Sequence, residues 1–416
     1  MPSLLTAATP PATPSRRSVL RWFLSTGLGL GLAACGSDGE DDEPTADPTA
    51  QLQAQADAAV AAGLVGLVLG EQSSSANRVV VAGRRRLGQT APVQAADRFA
   101  IGSNTKAMTC AAVVAAADRG GPALNLTLPE AFPDWAGEIP PAYAGVTLTD
   151  LLHHRGGLPA FNGSGPEEEA FIAAVSADPG PLPDTMAGRR AYFARWLLAQ
   201  APADGLTPGS GFHYSNAGYV LAAAMVEAHS GRSFESLFDE TVVQPLGLDG
   251  HWRSPVPGAG DSLWGHEGAQ GALAVWEGSA DDANTPNIQV WQDALGPAGH
   301  WACSGAAYAR WLDWHLRALR GEATALPARY MSDLRAASGD RYVWGWQTLV
   351  TPNRTLLSHT GHEPGFMAEA VFDRSGDFAV FGLSNTGHMA EDGSSWVLGR
   401  IDATLAEVLK LRNIAL

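Results

Sequence analysis

GSNTKAMTCAAVVAAA is the sequence of residues 102–117, and small apolar side chains make up most of it. Ser103 is a favourable helix N-cap, and Gly120-Gly121 is a favourable stop. Because the residues between them are apolar on every side, the stretch predicts a buried helix. Lys106 follows Ser103 by three residues, a spacing that places the amine and the hydroxyl on one face of that helix.

The lysine is informative because this chain uses arginine as its ordinary cation. Lys106 and Lys410 are its only lysines. A buried lysine can give up its proton, since desolvation lowers its pKa, whereas arginine stays charged. An amine beside a hydroxyl in a buried helix is what activation of a serine nucleophile needs. Taken alone, the pair also fits a capping serine and a lysine that reaches solvent.

Composition limits the class of protein. The 416 residues suffice for one large or two ordinary domains, and 45% of them are hydrophobic, so a folded core is expected. The net charge of −16 and the absence of a basic stripe argue against a nucleic-acid partner. Many acidic residues lie between positions 38 and 47, where the composition predicts a solvated linker.

The N-terminus has the pattern of a targeting segment. A basic stretch, RRSVLR at residues 16–21, precedes an apolar stretch over residues 22–34 that is too short to span a bilayer as a stable helix. LAACG at residues 32–36 is similar to a bacterial lipobox, in which the cysteine, here Cys35, is lipidated and becomes the mature N-terminus. An ordinary cleaved signal peptide is the alternative, and both Tat and Sec export stay open.

These patterns divide the chain into three parts. We predict a signal peptide with lipobox over residues 1–35, an acidic disordered linker over 36–50 and one folded domain over 51–416. The protein is then expected to be exported, as a periplasmic or cell-surface lipoprotein of a bacterium held to the membrane through Cys35. Cys110 reads as a small core residue rather than a disulfide partner.

Strand patterns lie at both ends of the folded part, and helical patterns lie between them. The predicted strands cover residues 64–69, 78–82, 343–350, 355–359, 368–372 and 378–383. The fold class is therefore α+β, with an antiparallel sheet built from both chain ends, flanked by helices, and a mostly helical region inserted between the two ends.

Two further strings belong with the S-x-x-K spacing. YSN at residues 214–216 opens a helix, and HTG at residues 359–361 ends a strand. The order S-x-x-K, Y-x-N, H-T-G resembles the serine β-lactamase and penicillin-binding protein superfamily, in the branch of class C β-lactamases, D,D-carboxypeptidases, D-aminopeptidases and related esterases. Strings at 151–159, 244–247, 298–304 and 359–366 also resemble that branch. The resemblance implies a β-lactamase-like fold.

The resemblance also implies roles for the first two motifs. Ser103 would be the acylated nucleophile, and Lys106, neutral or sharing a proton, would help to deprotonate it. Tyr214 would act as general base, or as a proton shuttle with the lysine, because a phenol is a poor base at its free pKa near 10. Asn216 would bond the substrate amide and the lysine.

The third motif would bind the substrate and hold the oxyanion. Thr360 would offer its hydroxyl to a substrate carboxylate, Gly361 would let the substrate backbone lie against the strand edge, and the backbone N–H groups of Ser103 and His362 would form the oxyanion hole. His359 stands where many β-lactamases have lysine. Since a histidine can be neutral at pH 7, a fixed positive charge for an anionic substrate is not assured.

Other chemistries find less support. The pair His153-His154 has no partner at a ligand-like spacing, and His266-Glu267 and His362-Glu363 lack the second histidine of H-E-x-x-H, so we predict no metal and no cofactor. The chain also lacks the G-x-S-x-G elbow of α/β-hydrolases.

The expected function is therefore an acyl-transferring serine hydrolase. Its substrate would be a β-lactam, a D-alanyl peptide or a small ester, and the histidine at position 359 favours a peptidase or esterase. The alternative is a catalytically inactive, penicillin-binding-protein-like protein that binds cell wall. Covalent labelling of the serine at position 103 by a penicillin or a fluorophosphonate would separate the two.

Overall fold

The computed structural model describes residues 47–416 except 164, 179, 204, 253–262, 278–291, 293, 340 and 391. The predicted signal peptide, the lipobox with Cys35 and most of the predicted linker lie outside these residues.

Twelve strands are described, and seven of them form one antiparallel sheet in the order β2-β1-β12-β11-β10-β9-β8. The strands are β1 Gly66–Ser73, β2 Asn77–Gly83, β3 Arg98–Ala100, β4 His251–Trp252, β5 His266–Glu267, β6 Ala274–Val275, β7 Trp301–Ser304, β8 Tyr342–Val343, β9 Trp346–Val350, β10 Thr355–Glu363, β11 Phe366–Asp373 and β12 Phe378–Ser384. Strands β3, β7 and β4 form a second small sheet, and β5 pairs with β6.

The pairing of β1 with β12 joins the two ends of the chain, with Leu67 opposite Ser384 and Ser73 opposite Phe378. The predicted sheet from both chain ends is therefore confirmed. Every residue of β11 and of β12 is buried. Such continuous burial requires cover on both faces of the sheet, because successive side chains point to opposite sides.

Helices supply that cover. Their bounds are α1 Pro48–Ala61, α2 Thr105–Asp118, α3 Leu128–Ala131, α4 Leu148–Leu152, α5 Pro166–Ala177, α6 Met186–Leu198, α7 Asn216–Ser230, α8 Phe234–Phe238, α9 Gln244–Leu246, α10 Gly296–Gly299, α11 Gly305–Leu319, α12 Ala328–Ala336 and α13 Trp396–Leu411. A π-helical turn, Asp239–Val243, joins α8 to α9. The predicted helical insertion between the two groups of strands is confirmed.

The two faces of the sheet belong to two separate apolar cores. Leu67 and Leu69 of β1 pack with residues of α1 and α13 in one core. Val68, which points the other way, belongs to the core that contains α2, α7 and α11. Helix α2, which follows Ser103, and the terminal helices α1 and α13 therefore lie on opposite sides of one sheet.

The folded part begins three residues earlier than we predicted. Helix α1 starts at Pro48, because Asp47 caps it by accepting a hydrogen bond from the Thr49 N–H at 3.1 Å and proline suits the first helical position. Residues 48–50, assigned above to the disordered linker, are therefore helical. Over the part of the chain that the structure covers, no helix has the length and apolar character needed to cross a bilayer.

Candidate active site

The nucleophile candidate lies in a short 3₁₀ turn, Gly102–Asn104, and helix α2 begins only at Thr105. The prediction that Ser103 caps the helix is therefore wrong, and its side chain is available for other contacts. The prediction of a buried helix is confirmed, since every residue from Thr105 to Ala116 is buried. Lys106 belongs to this run and is fully buried.

Three predicted residues meet at one hydroxyl. The Oγ of Ser103 lies 2.9 Å from the Nζ of Lys106 and 2.8 Å from the hydroxyl of Tyr214. The same amine bonds the carbonyl oxygen of Ala298 at 2.6 Å. Since Tyr214 is 111 residues from Ser103 in sequence, this convergence is a property of the tertiary fold.

Burial decides the protonation of this cluster. It lowers the pKa of Lys106 well below its usual value, and it raises the pKa of Tyr214. The arrangement is thus an amine that can be neutral beside a phenol that keeps its proton. A neutral amine has a lone pair for the Ser103 proton, and a protonated phenol donates its hydrogen bond to Ser103.

Asn216 begins α7, next to the tyrosine, but it does not bond Lys106 as we expected. Its amide nitrogen donates to the Phe161 carbonyl oxygen at 2.6 Å. The Oδ1 atom of Asn216 is buried and has no hydrogen-bond partner among the residues that the structure describes. A buried acceptor without a partner costs free energy, and a hydrogen bond from a substrate amide would remove that cost.

His359 is held as a neutral imidazole. Its Nε2 lies 3.1 Å from the Tyr342 hydroxyl, and its Nδ1 lies 2.6 Å from the Thr360 carbonyl oxygen. Burial, with a smaller contribution from Lys106, lowers the pKa of His359 to about 3. This position therefore supplies no fixed positive charge at neutral pH, in contrast to a lysine.

Strand β10 passes very close to the turn that carries the nucleophile. A Cβ at Gly361 would lie 2.0 Å from the Ile101 carbonyl oxygen, so glycine is required for this approach in addition to its predicted role towards substrate. A Cβ at Gly102 would lie 2.6 Å from the backbone nitrogen of His362. The two predicted oxyanion-hole amides therefore belong to adjoining segments. The hydroxyl-bearing Thr360 is half-buried at this edge.

The side chain of His362 lies near the carboxylate of Glu267, a residue that the sequence suggested only as part of an incomplete metal motif. Its Nε2 is 3.5 Å from Oε2 of Glu267 on β5. The same carboxylate oxygen accepts a hydrogen bond from the Gly365 N–H at 2.7 Å. Although burial raises the pKa of Glu267, the contact with His362 and the hydrogen bond from Gly365 outweigh burial and lower that pKa overall.

Asn104 fastens the strand to the nucleophile turn, a role that sequence reasoning missed. In the amide orientation that satisfies both of its polar atoms, its nitrogen donates to the His359 carbonyl at 3.1 Å and its oxygen accepts from the Gly361 N–H at 3.2 Å. The residue is fully buried. Its position directly after Ser103 was the one signal that could have indicated it.

The remaining candidates have structural explanations. The Nδ1 of His153 lies 2.9 Å from the Thr149 carbonyl oxygen, and its ring packs on Trp344. Among the described residues, no group of three His, Cys, Asp or Glu side chains could hold a metal ion. Cys110 is a free, buried thiol, and burial raises its pKa to about 12, so it is the inert core residue that we predicted.

Several known proteins of similar sequence are named as hydrolases or peptidases. The unguisins hydrolase ungD' of Aspergillus campestris (strain IBT 28561) is 26% identical over 271 residues, 62% of this chain and 46% of that protein. The D-alanyl-D-alanine-carboxypeptidase/endopeptidase AmpH of Escherichia coli (strain K12) is 27% identical over 177 residues, 42% of each chain. The match thus spans less than half of each of these relatives.

Solved structures share the fold at low sequence identity, and two of them illustrate this. The D-amino acid amidase from Ochrobactrum anthropi SV3, complexed with L-phenylalanine amide, superposes with a TM-score of 0.66 at 20% identity and covers 88% of this chain and 99% of its own. The octameric penicillin-binding protein homologue from Pyrococcus abyssi gives 0.64 at 19% identity, covering 87% and 77%. The family model described as Beta-lactamase matches residues 51–403. With its serine, lysine and tyrosine assembled at one hydroxyl, the chain belongs to the beta-lactamase family of serine hydrolases.

Proposed function

We propose that this protein hydrolyses amide bonds of peptides or amino-acid amides through an acyl-enzyme on Ser103. One observation carries the proposal: the Ser103 hydroxyl lies between a buried lysine amine and a tyrosine hydroxyl, at 2.9 and 2.8 Å. Such a constellation makes an alcohol nucleophilic, because its proton has an acceptor at the moment of attack. Chemistry of this kind needs no metal and no cofactor.

The protonation states assign the steps. Ser103 Oγ attacks the substrate carbonyl carbon, and its proton moves to the neutral amine of Lys106. The oxyanion that forms accepts hydrogen bonds from the N–H groups of Ser103 and His362. Tyr214 relays the proton to the leaving nitrogen, the C–N bond breaks, and the amine product departs. A water molecule then attacks the ester carbonyl carbon and gives a proton to Lys106. The bond between Ser103 Oγ and that carbon breaks, Oγ takes the proton back from Lys106, and the carboxylic acid product departs.

Tyr214 is a relay in this scheme and not an ionised base. A phenolate would need a nearby cation, and burial works against both charged forms, since it lowers the pKa of Lys106 and raises that of Tyr214. Of the two roles that the sequence left open for the tyrosine, the buried cluster therefore favours the proton shuttle.

The substrate class rests on His359. A β-lactam or a D-alanyl peptide presents a carboxylate, which a lysine at this position would attract at every physiological pH. A buried imidazole with a pKa of about 3, already bonded to Tyr342, offers no such charge. Substrates whose scissile amide is not followed by a carboxylate are thus favoured. The likeness to a D-amino acid amidase supports the same class.

A substrate panel with one active-site variant tests the proposal. Amides and p-nitroanilides of D- and L-amino acids, a D-Ala-D-Ala peptide, nitrocefin and p-nitrophenyl esters would be compared for kcat/KM. We expect an amide without a carboxylate to be the best amide substrate, and Ser103→Ala to lose about 10³-fold or more in kcat. Equal turnover by Ser103→Ala would refute the mechanism. Lack of turnover and of fluorophosphonate labelling in the parent protein would favour the inactive cell-wall binding protein.

A further inference from the structure

His154 packs against the loop that carries Tyr214 and forms hydrogen bonds with both sequence neighbours of the tyrosine. Its backbone carbonyl accepts a hydrogen bond from the His213 N–H at 2.8 Å. Its Nδ1 accepts a hydrogen bond from the Ser215 N–H at 3.0 Å. The residue is 1% exposed, so neither bond competes with bulk water. One residue thus fixes the backbone on both sides of Tyr214.

The imidazole also supports the phenol ring. The His154 and Tyr214 ring centroids are 4.3 Å apart, and the planes are inclined by 32°. The imidazole also packs on Tyr342, with ring centroids 4.5 Å apart. His154 itself has a positive φ of 56°, a conformation that few non-glycine residues adopt. Its turn after α4 therefore aims the ring into the space behind the tyrosine.

The bond to Ser215 fixes the tautomer of His154. Since Nδ1 accepts a hydrogen bond, it carries no proton, and the proton of the neutral ring is on Nε2. Burial lowers the pKa of His154 well below its usual value, and the charges of Lys106 and His359 would lower it further. Nε2 is buried without a hydrogen-bond partner, so the Nδ1 bond is the one polar contact of the ring within the described structure.

We propose that His154 is a positioning residue that keeps the Tyr214 hydroxyl on Ser103 by accepting the Ser215 N–H. This inference rests on the proposed function, in which Tyr214 relays the proton. The 2.8 Å contact between the two hydroxyls depends on where the loop places the phenol, and a displacement of about 1 Å can cost about 10²-fold in rate.

Two substitutions separate the acceptor of His154 from its ring. His154→Phe keeps an aromatic ring and removes the acceptor. His154→Asn removes the ring, keeps an acceptor at a similar position, and suits the positive φ. The loop has other bonds that support folding of both variants, from Ser215 Oγ to Pro159 O at 2.6 Å and from Asn216 N to Ala160 O at 2.8 Å. His229→Phe, on the exposed end of α7, is the matched control.

The rate of Ser103 acylation by the best amide substrate of the panel, followed in a single turnover, is the measurement. We expect a loss of about tenfold or more in His154→Phe, recovery of most of that loss in His154→Asn, and no change in His229→Phe. For the best substrate the loss should appear in kcat and not in KM. Parent-like acylation of His154→Phe would overturn the inference, and so would equal losses in both variants.

Nitrogen NMR of ¹⁵N-histidine-labelled parent protein gives a test that does not depend on folding of the variants. The inference requires the Nε2–H tautomer at residue 154, unchanged between about pH 6 and pH 8, and an Nδ1–H tautomer would overturn it. Ser103→Ala distinguishes the two levels of argument. If that variant stays active, the proposed function fails, whereas an inactive Ser103→Ala with a parent-like His154→Phe refutes only the role of His154.

Discussion

Within the described part of the chain, the Lys106 amine has two hydrogen-bond contacts, with the Ser103 hydroxyl and with the Ala298 carbonyl oxygen. An ammonium ion has three hydrogens to donate, and no carboxylate is paired with Lys106 among the described residues. A neutral amine fits the same surroundings better, because it can donate to Ala298 and accept the proton of Ser103. The direction of the Lys106 pKa follows from this environment, since burial is its main cause.

Replacing Lys106 by arginine tests whether loss of the proton matters. The guanidinium keeps its charge in proteins, so Lys106→Arg retains a cation and loses the base. We expect the rate at which Ser103 attacks an electrophile to fall by about 10²- to 10⁴-fold, the usual contribution of general acid–base catalysis. The labelling rate with a fluorophosphonate measures it.

The chain offers a matched control in its other lysine. Lys410 lies near the end of α13 with 77% of its side chain exposed, and Lys410→Arg should label at the parent rate. Equal labelling of the two variants would show that deprotonation of residue 106 is not part of the reaction. A circular dichroism spectrum and a melting curve of each variant would show whether both are folded.

The contact between β11 and α13 contains a pair of acids, of which Glu369 is buried and Asp402 is half-buried. Glu369 of β11 is 1% exposed and shares a hydrogen bond with Asp402 of α13. Burial raises the pKa of Glu369 well above its usual value, the charge of Asp402 adds to this, and burial also raises the pKa of Asp402. Two neighbouring carboxyl groups of this kind keep a proton between them, because ionisation of both would bring two like charges together.

This pair predicts how stability depends on pH. A carboxyl whose pKa is raised in the folded state holds its proton more tightly there than in the unfolded chain. The stabilisation that this site contributes is therefore fully present below the unfolded pKa, near 4. It decreases as the pH rises towards the folded pKa. We expect the unfolding free energy of the parent to decrease as the pH rises above the unfolded pKa of a glutamic acid, because the unfolded chain gives up this proton more readily than the folded protein does.

Glu369→Gln should reduce that loss, because an amide can donate to the Asp402 carboxylate and has no proton to lose. Urea unfolding at several pH values measures the slope. Glu407→Gln, on the exposed side of α13, should keep the parent slope. If Glu369→Gln and the parent had the same slope, the shared proton would not contribute to stability.

Across the whole molecule, spacing and periodicity predicted what depends on neighbouring residues. The three-residue separation of Ser103 and Lys106 gave their shared face, and the strand patterns at both ends gave the sheet. Contacts between distant segments were not predictable in the same way. Tyr342 bonds His359, and His154 bonds Ser215, only because packing brings β8 and the turn after α4 into contact.

The errors have the same origin. The amide of Asn216 bonds Phe161 and not Lys106, because the Phe161 backbone has a positive φ of 47° and its carbonyl reaches the start of α7. The N-cap prediction for Ser103 failed because the chain makes a 3₁₀ turn there, against β10, before the helix begins. Local propensity does not contain either piece of tertiary structure.

The arrangement of the domain bears on the lipid anchor that we propose at Cys35. Helix α1, the first described element, packs with α13 on the sheet face away from Ser103. Residues 36–47 between Cys35 and α1 would span at most about 40 Å when fully extended. An anchor at Cys35 would therefore reach the folded domain at the start of α1, on the sheet face away from Ser103.

Replacing Cys35 by serine in the full chain tests the anchor. Each acyl methylene buried in a bilayer contributes about 0.8 kcal/mol, so a diacylated N-terminal cysteine would hold the protein firmly to the membrane. In a bacterial host we expect the parent and the neighbouring control Ser37→Ala in the membrane fraction, and Cys35→Ser in the soluble fraction with Ser103 labelled at the parent rate. Detergent-free fractionation and the mass of the mature N-terminus measure this. A Cys35→Ser protein that stays with the membrane, or a mature chain that keeps residues 22–34, would contradict the anchor and leave the serine chemistry untouched.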